Sequence, residues 1–271
     1  MRHATIKGQS WRPWRVRAIT SIAEARAAVD HECNFAMAAV QTREALGRHV
    51  PALFESLDAQ GYGVVDNFVP CNMVSAMRAE ANMLHQDHLT RPSETIVTFE
   101  DGSAETIIKP GVFAIESPLE SSTSPMLAGY VEAMSYYMPS QFNAYFTSRS
   151  LCTERYAPKL TVTLGEGSAN PLHVDNFRDG DERTLTTILY LQSDWRPEQG
   201  GYFRLFPPLH DLDSPLDEAT LGPSLDIAPL GGRLLAFWSD TIPHAVSSVY
   251  APSVNSYRWA FTIWFPRPAL R

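Results

Sequence analysis

The chain has 271 residues, a formal net charge of −8 at pH 7 and an apolar fraction of 44%. This length allows one or two domains with a substantial hydrophobic core. The excess of acidic residues argues against nucleic acid as a main partner, because phosphate binding needs a basic face. No run of roughly 18 or more apolar residues occurs, so we expect no membrane span.

The first stretch of the chain is basic, and we expect residues 1–20 to form an arm that packs on the rest of the protein. An organellar transit segment is the alternative, because such segments are rich in arginine and poor in acids. The cysteines are odd in number and widely scattered, which is not typical of a disulfide framework or a zinc motif. They are Cys33, Cys71 and Cys152. A reducing compartment fits this pattern, and we expect a cytoplasmic location.

The N-terminal region is predicted to be mainly helical. An alanine-rich segment over residues 21–47 begins with a capping-box pattern and has Gly47 as a plausible stop, and a second helix is predicted for residues 49–60. A strand is expected at 61–66 and a further helix at 70–85. Together these elements define a helical support region, residues 21–90, whose apolar stripes should brace one face of a sheet.

The remaining region, residues 91–271, is predicted to be an α+β unit that is mainly β. Residues 87–120 are polar and punctuated by prolines, with short candidate strands at 95–99 and 112–116. A helix is expected at 125–145. From Lys159 onward, short apolar strands alternate with turn residues, which is the pattern of an antiparallel sandwich or barrel.

His173 and Asp175 form a His-x-Asp pair that can chelate a metal only in extended chain. Side chains at positions i and i+2 point to the same side of an extended segment and diverge on a helix. Pro171 biases its predecessor away from helix, so chelation is geometrically plausible. The same spacing recurs at His85 and Asp87, where apolar residues have helical periodicity and the two side chains should diverge.

His244 is the third candidate ligand, because it follows a strongly apolar strand at 233–238. Two histidines and one carboxylate are the ligand set of a facial triad, which holds Fe(II) and leaves coordination positions open. The alternative is that His244 is an ordinary loop or strand histidine that binds no metal.

Arg258 is a single cation in a strand of aromatic and β-branched residues at 258–265. Charge is rarely buried without a partner. A dicarboxylate cosubstrate would supply one, because a guanidinium binds a carboxylate through two parallel hydrogen bonds. The alternative is a surface arginine on a strand that faces solvent at alternate positions.

These motifs, taken together, resemble the catalytic domain of the Fe(II)- and 2-oxoglutarate-dependent prolyl hydroxylases, most closely the hypoxia-inducible-factor prolyl hydroxylase branch. The resemblance covers residues 160–265 and rests on the following pieces: Leu164-Gly-Glu-Gly167, His173-Val-Asp-Asn176, Arg183 to Leu191, Asp194-Trp195, Gly200 to Pro207, Arg233 to Asp240, Pro243-His244 and Arg258 to Phe265.

The resemblance implies a double-stranded β-helix core of the jelly-roll or cupin type, braced by the N-terminal helices. It also implies Fe(II), 2-oxoglutarate and O2 as cofactor and cosubstrates, with ascorbate as a further candidate. His173, Asp175 and His244 would be the catalytic iron ligands. The residues implied for the cosubstrate pocket are Arg258 and Tyr190, which would hold the far carboxylate, and Thr262 and Trp264, while Arg183 matches an arginine near the substrate entrance.

The implied reaction is hydroxylation of a C–H bond, with succinate and CO2 as coproducts. Prolyl 4-hydroxylation of a peptide or protein is the expected form. A hydroxylase of a free amino acid or other small molecule and a non-catalytic barrel scaffold are the alternatives, and fold alone does not choose among them. The sequence departs from the family pattern at Thr163, where the family has a pocket tyrosine, and in two longer loops at 208–223 and 245–257. In the resembled enzymes, the region that matches 87–120 is a mobile loop over the substrate.

Overall fold

The computed structural model describes residues 22–98, 104–116, 119–176, 181–209 and 216–269. Within these ranges the chain forms three α-helices and eleven strands, and the strands make two antiparallel sheets. The basic arm predicted for residues 1–20 lies outside the described residues. In the described part of the chain, no helix is both long and apolar enough to cross a membrane.

The helices are α1 (Ile22–Gln60), α2 (Cys71–Gln86) and α3 (Pro125–Tyr145). The bounds of α2 and α3 agree with the predicted helices, and α3 begins at a proline, which is favoured at the first helical position. The prediction of two separate helices before residue 60 is wrong, because α1 continues through Gly47 and Pro51.

The packing of α1 explains why its internal glycine and proline do not end it. Leu46 and Val50 are buried on either side of Gly47, and Leu53 is buried after Pro51. Most helical stability in proteins comes from such packing rather than from local propensity. Helix α3 also approaches α1 closely, since a Cβ atom at Gly129 would lie 2.4 Å from the Phe35 carbonyl oxygen.

The larger sheet has the strand order β1-β9-β6-β11-β4-β3-β2, and the smaller sheet has the order β5-β10-β7-β8. The strands are β1 (Tyr62–Val65), β2 (Arg91–Thr98), β3 (Ala104–Ile115), β4 (Ala157–Thr163), β5 (Ser168–His173), β6 (Arg183–Tyr190), β7 (Phe203–Leu205), β8 (Leu225–Ile227), β9 (Leu234–Trp238), β10 (His244–Val249) and β11 (Arg258–Pro266). The division of the chain at residues 20 and 90 stays a prediction.

Strand β9 shows how the larger sheet separates the helices from the smaller sheet. Successive side chains of a strand point to opposite faces. The Trp238 ring packs edge-on against Phe142 and Phe146, which belong to α3 and the residue after it. The Phe237 ring packs against Phe203 of β7 and against His244 of β10. The helices therefore brace one face of the larger sheet, as the sequence predicted, and the other face looks toward the smaller sheet.

The region 87–120 is more regular than the sequence indicated. Strands β2 and β3 form a long antiparallel hairpin, and β3 pairs with β4 at the edge of the larger sheet. Of the short strands predicted at 95–99 and 112–116, residues 95–98 and 112–115 are parts of this hairpin, and residue 99 lies outside the described residues. Its exposed side chains at Ile107 and Ile108 dilute the alternating pattern by which a half-buried strand is recognised.

One of the two longer loops differs from expectation. Residues 245–249 are not a linker, because they continue β10 and pair with β5 and β7. Only residues 250–257 connect β10 to β11. Part of the predicted loop at 208–223, namely residues 210–215, lies outside the described residues.

Candidate metal and cosubstrate site

The predicted metal ligands converge at one end of the smaller sheet. His173 is the last residue of β5, His244 is the first of β10, and the two are direct partners in the antiparallel pairing. Asp175 follows β5 by two residues. Ligand atoms of the three side chains all lie within 4.8 Å of one another, and this is the one such group of metal-ligating side chains in the described ranges. The other His-x-Asp pair, His85 and Asp87, is not part of this group. His85 hydrogen-bonds with Thr90, and Asp87 is exposed.

Backbone carbonyl groups orient both histidine rings. The Nδ1 atom of His173 lies 2.8 Å from the Pro171 carbonyl oxygen, and that of His244 lies 3.0 Å from the Ile242 carbonyl oxygen. Because a carbonyl oxygen only accepts, each Nδ1 carries the proton and donates it. Each Nε2 is thereby left as a lone-pair donor that faces Asp175, which is the tautomer that a metal requires.

The carboxylate of Asp175 is held from one side only. Its Oδ2 atom accepts a hydrogen bond from Thr186 Oγ1 at 2.7 Å and one from Trp264 Nε1 at 2.9 Å. Thr186 also hydrogen-bonds with Ser239 at 2.8 Å, so its hydroxyl group is itself positioned. The Oδ1 atom lies 3.7 Å from Nε2 of His173 and 3.7 Å from Nε2 of His244. Three lone-pair atoms therefore face one point.

The protonation states suit a cation at that point. Burial lowers the pKa of His244 to about 4, with a smaller contribution from His173, so that the ring is neutral near pH 7. Burial raises the pKa of Asp175, whereas positive charge on the two histidines and the hydrogen bond from Thr186 lower it, and the net effect is a lowered pKa. A neutral histidine and an ionised carboxylate are the forms that bind metals.

Arg258 and Tyr190 lie together in the buried interior. The Arg258 side chain is almost fully buried, and its Nε donates a 2.8 Å hydrogen bond to the Gly201 carbonyl. Among the described residues the guanidinium makes no other hydrogen bond and no salt bridge, and the Tyr190 hydroxyl is the one neighbouring group that acts on its charge. The guanidinium carbon lies 5.2 Å from the centre of the Tyr190 ring, and the Tyr190 hydroxyl is buried without a hydrogen-bond partner. Unpartnered buried donors of this kind fit an absent carboxylate.

The remaining predicted residues occupy different positions. Thr262 lies on the same face of β11 as Arg258, and Thr163, which pairs with Arg258 across β4, is also buried. Trp264 contacts the metal ligand Asp175, so its position indicates support of the metal end rather than of the cosubstrate. Arg183 lies over the Trp264 ring at 5.5 Å and pairs with Asp181. The functional roles of these residues stay predictions.

Sequence reasoning missed the residues that position the predicted ones. Thr186 hydrogen-bonds to Asp175 and is itself hydrogen-bonded to Ser239. The Gly201 carbonyl accepts a hydrogen bond from Arg258. A glycine is needed there, because a Cβ atom at position 201 would lie 2.8 Å from the Arg258 Cδ. A weak signal was available for Thr186, which shares a face of β6 with Tyr190. The other two depend on contacts between strands far apart in the chain.

The arrangement fits the Fe(II) and 2-oxoglutarate that the sequence resemblance implies. The convergent Nε2, Nε2 and Oδ1 atoms match a two-histidine, one-carboxylate metal site. The buried Arg258 guanidinium, with its single hydrogen bond to a carbonyl, and the Tyr190 hydroxyl, with none, match the distal carboxylate of a dicarboxylate cosubstrate.

Comparisons with known proteins agree with this reading. Residues 158–266 match the family model described as the 2OG-Fe(II) oxygenase superfamily. Human prolyl hydroxylase EGLN3 is 32% identical over 141 residues, which are 51% of this chain and 50% of that protein. The chain thus spans about half the length of the curated EGLN3 relatives that it matches.

Solved structures show the same fold. A prolyl hydroxylase from Trichoplax adhaerens, in complex with a hypoxia-inducible factor oxygen degradation domain peptide fragment, has a TM-score of 0.63 at 18% identity and covers 88% of this chain and 93% of its own. A Pseudomonas putida prolyl-4-hydroxylase has a TM-score of 0.60 at 24% identity and covers 81% of this chain and 99% of its own.

The predicted α+β fold with a double-stranded β-helix core is confirmed by these neighbours and by the two antiparallel sheets. The resemblance to the hypoxia-inducible-factor prolyl hydroxylase branch is confirmed by the sequence similarity to EGLN3. The similarity to the 2OG-Fe(II) oxygenase superfamily extends over residues 158–266, from strand β4 to the end of strand β11.

Proposed function

We propose that this protein is an Fe(II)- and 2-oxoglutarate-dependent dioxygenase that hydroxylates a prolyl residue in a peptide or protein. The observation that carries the proposal is the convergence of His173, Asp175 and His244 on one point, with their remaining polar atoms already held by the protein. When bound there, Fe(II) together with 2-oxoglutarate and O2 supplies the oxidising power for C–H hydroxylation, with succinate and CO2 as coproducts.

The chain's own residues divide the work between two ends of the site. His173, Asp175 and His244 would hold Fe(II) on three neighbouring positions and leave the others open. Arg258 and Tyr190 would hold the distal carboxylate of 2-oxoglutarate in the buried interior, which orients its other end toward the metal. The low exposure of both groups excludes water from this carboxylate and strengthens its interaction with the guanidinium.

Prolyl hydroxylation is favoured over other C–H targets by the relatives. EGLN3 is named a prolyl hydroxylase, and the Trichoplax relative was solved with a peptide fragment. Hydroxylation of a free amino acid or other small molecule is the alternative within the same chemistry. The choice between them rests on residues outside the metal and cosubstrate ends.

The test is an anaerobic titration of the metal-free protein with Fe(II) and then 2-oxoglutarate, monitored by the weak visible charge-transfer band of the chelate. We expect the band in the wild type and in Asp87→Asn, and its loss in Asp175→Asn. These two variants are matched, because each alters the carboxylate of a His-x-Asp pair and Asp87 is exposed on the end of α2. A wild-type protein without the band would support a non-catalytic scaffold instead.

The substrate is then tested by succinate release on admission of O2. Proline-containing peptides should raise the rate above the peptide-free background, and the peptide product should gain one oxygen atom on proline by mass spectrometry. Stimulation by free proline but by no peptide would move the proposal to a small-molecule hydroxylase.

A further inference from the structure

An irregularity of the β2–β3 hairpin lies beside the metal site. Pro92 pairs with Phe113 and Glu94 pairs with Ile108, so one residue of β2 faces four residues of β3, at 109–112. Bulges of this kind occur at barrel rims and next to active sites, where they redirect a side chain. The residue that begins the bulge is Lys109.

The bulge is fixed against the strand that carries His173. Gly111 adopts a φ of 67°, and its carbonyl accepts a 2.9 Å hydrogen bond from the Leu164 backbone N–H. A Cβ atom at Gly111 would lie only 2.3 Å from the hydroxyl oxygen of Ser168, at the start of β5. The position of Lys109 is therefore set by the same strand that positions a metal ligand.

The pKa of Lys109 is shifted by burial and by three neighbouring charged groups. Burial lowers the pKa of Lys109 to about 8, and the positive charge of Lys159 lowers it further, while Asp175 and Glu116 act in the opposite direction. Lys109 in turn contributes to the lowered pKa of His244. Lys109 therefore interacts electrostatically with Asp175 and His244, two of the three predicted metal ligands.

Lys159 approaches the same space from the larger sheet. It pairs with Thr262 across β4 and β11, so it shares the face of Arg258 and Thr262. Its side chain is only 15% exposed, and its Nζ atom lies 2.5 Å from an oxygen of Glu116, whose own side chain is 65% exposed. A carboxylate open to solvent screens its partner only weakly and can move away from it.

The local balance of charge is positive on this half-exposed side of the site. The chain has only three lysines, Lys7, Lys109 and Lys159, and two of them lie here. Glu116 forms an ion pair with Lys159, and the Asp175 carboxylate faces the two histidines of the predicted metal site. Two partly buried ammonium groups repel each other and lose hydration, so their juxtaposition costs free energy unless an anion joins them.

We propose that Lys109 and Lys159 form an anion-binding subsite that selects a substrate carboxylate close to the carbon that is hydroxylated. This inference rests on the proposed function. The 2-oxoglutarate carboxylate already has its own partners, Arg258 and Tyr190, in the fully buried interior. Both lysines are partly exposed, so the anion that they bind enters with the substrate.

The carboxylate can come from two sources, and the two make different predictions. In a peptide it belongs to an acidic residue that follows the target proline. In a free amino acid it is the α-carboxylate itself. Both present the same chemistry to the lysines.

The experiment uses the full chain loaded with Fe(II) and 2-oxoglutarate, and two matched pairs of probes. The first pair is an Ala-Pro-Glu peptide and an Ala-Pro-Gln peptide, both capped at each end, and the second is L-proline and L-prolinamide. Binding is measured anaerobically from the shift of the charge-transfer band, and turnover is measured from succinate release.

In the wild type we expect the acidic member of one pair to be preferred by a factor of about 10 to 100, the value of a hydrogen bond to a charged group. The peptide pair or the proline pair that shows the preference identifies the source. Lys109→Met and Lys159→Met should reduce the preference toward unity, and Lys109→Arg and Lys159→Arg should restore it in part.

Arg91→Met is the matched control, because it removes a cation from the same hairpin. The Arg91 guanidinium donates to the His88 carbonyl at 2.6 Å, and the residue is exposed. Its preference should equal that of the wild type. Equal binding of the acidic and neutral probes by the wild type, or binding of neither, would overturn the subsite while leaving the Fe(II) and 2-oxoglutarate band in place. Loss of that band in the wild type would instead overturn the proposed function.

Discussion

The two ends of the candidate site are built on opposite principles. At the metal end, His173, His244 and Asp175 have every outward-facing polar atom bonded to the protein before any metal arrives. At the cosubstrate end, the buried Arg258 guanidinium makes one hydrogen bond, to the Gly201 carbonyl, and forms no salt bridge in the described part of the chain, while the buried Tyr190 hydroxyl makes no hydrogen bond.

The difference teaches what each end contributes. A metal site gains affinity when its ligands are already oriented, because no ordering cost remains at binding. An unpartnered buried cation instead destabilises the free protein and is relieved when an anion binds. The metal end is therefore preorganised, whereas the cosubstrate end stores binding free energy for 2-oxoglutarate.

The largest expected effect comes from removing the buried cation. Arg258→Met should weaken 2-oxoglutarate binding by about 3 to 5 kcal/mol, which is a factor of roughly 10² to 4 × 10³, because the carboxylate would lose its partner in a buried site. The measurement is the 2-oxoglutarate concentration that gives half of the Fe(II) charge-transfer band. The Fe(II) affinity itself should stay within a factor of about two, since no metal ligand is touched.

Arg78 provides the matched control for that variant. It is also a buried arginine, but its guanidinium donates to the carbonyls of Leu191, Asn255 and Tyr257 at 3.0, 2.7 and 3.2 Å. Arg78→Met should lower the free energy of unfolding by about 3 kcal/mol or more, because several buried carbonyls lose a charged donor. Arg258→Met should not lower the thermal stability of the ligand-free protein. An equal loss in both variants would contradict the stored-energy interpretation.

The next effect tests the metal end. Trp264→Phe removes one of the two hydrogen bonds to Asp175 Oδ2 and should lower Fe(II) affinity by a factor of about 10 to 100, the usual effect of losing a partner of a metal ligand. Competition with a fluorescent chelator measures this affinity.

Trp259→Phe is the control on the same strand. The Trp259 indole donates to Asn82 at 3.0 Å and makes no contact with a metal ligand. This variant should lose stability and keep its Fe(II) affinity. If both tryptophan variants lose metal affinity to the same degree, the effect of Trp264 is general destabilisation and not orientation of Asp175.

A smaller effect is expected from the Tyr190 hydroxyl group, which is buried without a hydrogen-bond partner. Tyr190→Phe should weaken 2-oxoglutarate binding by about 1 to 1.5 kcal/mol, or roughly tenfold, since one hydrogen bond to a carboxylate is lost. The stability of the ligand-free protein should be unchanged or slightly higher, because a buried hydroxyl without a partner disappears. Calorimetry of 2-oxoglutarate binding and a melting curve give both values. Tyr130→Phe removes another buried, unpartnered hydroxyl and should leave 2-oxoglutarate binding unaffected.

Much of the fold could be predicted from local signals, and the failures have a common cause. Helix α3 was predictable because Pro125 marks its start and its apolar residues persist to Tyr145. Helix α1 was divided at Gly47 because local propensity favours a stop there, whereas packing against α3 overrides it. The β2–β3 hairpin was underestimated because exposed apolar residues such as Ile108 weaken its periodicity.

In the candidate site, some residues could be predicted from their type, and others could be found only from the pairing of strands. His173, Asp175, His244 and Arg258 could be proposed from sequence because their chemistry is rare in an apolar strand or in that spacing. Thr186 and Lys159 carry no such signal. Thr186 lies beside Asp175, and Lys159 lies beside Thr262, because distant parts of the chain pair in the sheets. Such contacts cannot be predicted from the sequence unless the register of the strands is known.

The smallest expected effect concerns the half-exposed side between the two ends. If Lys109 helps bind a substrate carboxylate, the preference for acidic over neutral probes should fall as the pH rises through about 8, the pKa to which burial and Lys159 lower this group. The sign follows from the charge, since Lys109 is an ammonium below that pH and neutral above it. Bound Fe(II) adds positive charge nearby and shifts the midpoint to lower pH.

Because Lys159 and Glu116 face the same space, Lys109→Arg is the decisive comparison. Arginine keeps its proton at every pH at which the protein can be studied. The acid preference of Lys109→Arg should therefore be flat from pH 7 to about pH 9, while that of the wild type falls several-fold. The neutral probes report any pH effect on the metal or on 2-oxoglutarate, so the ratio of the two probes isolates the lysine. A fall of equal size in Lys109→Arg would assign the titration to another group and leave Lys159 as the main contact of the substrate carboxylate.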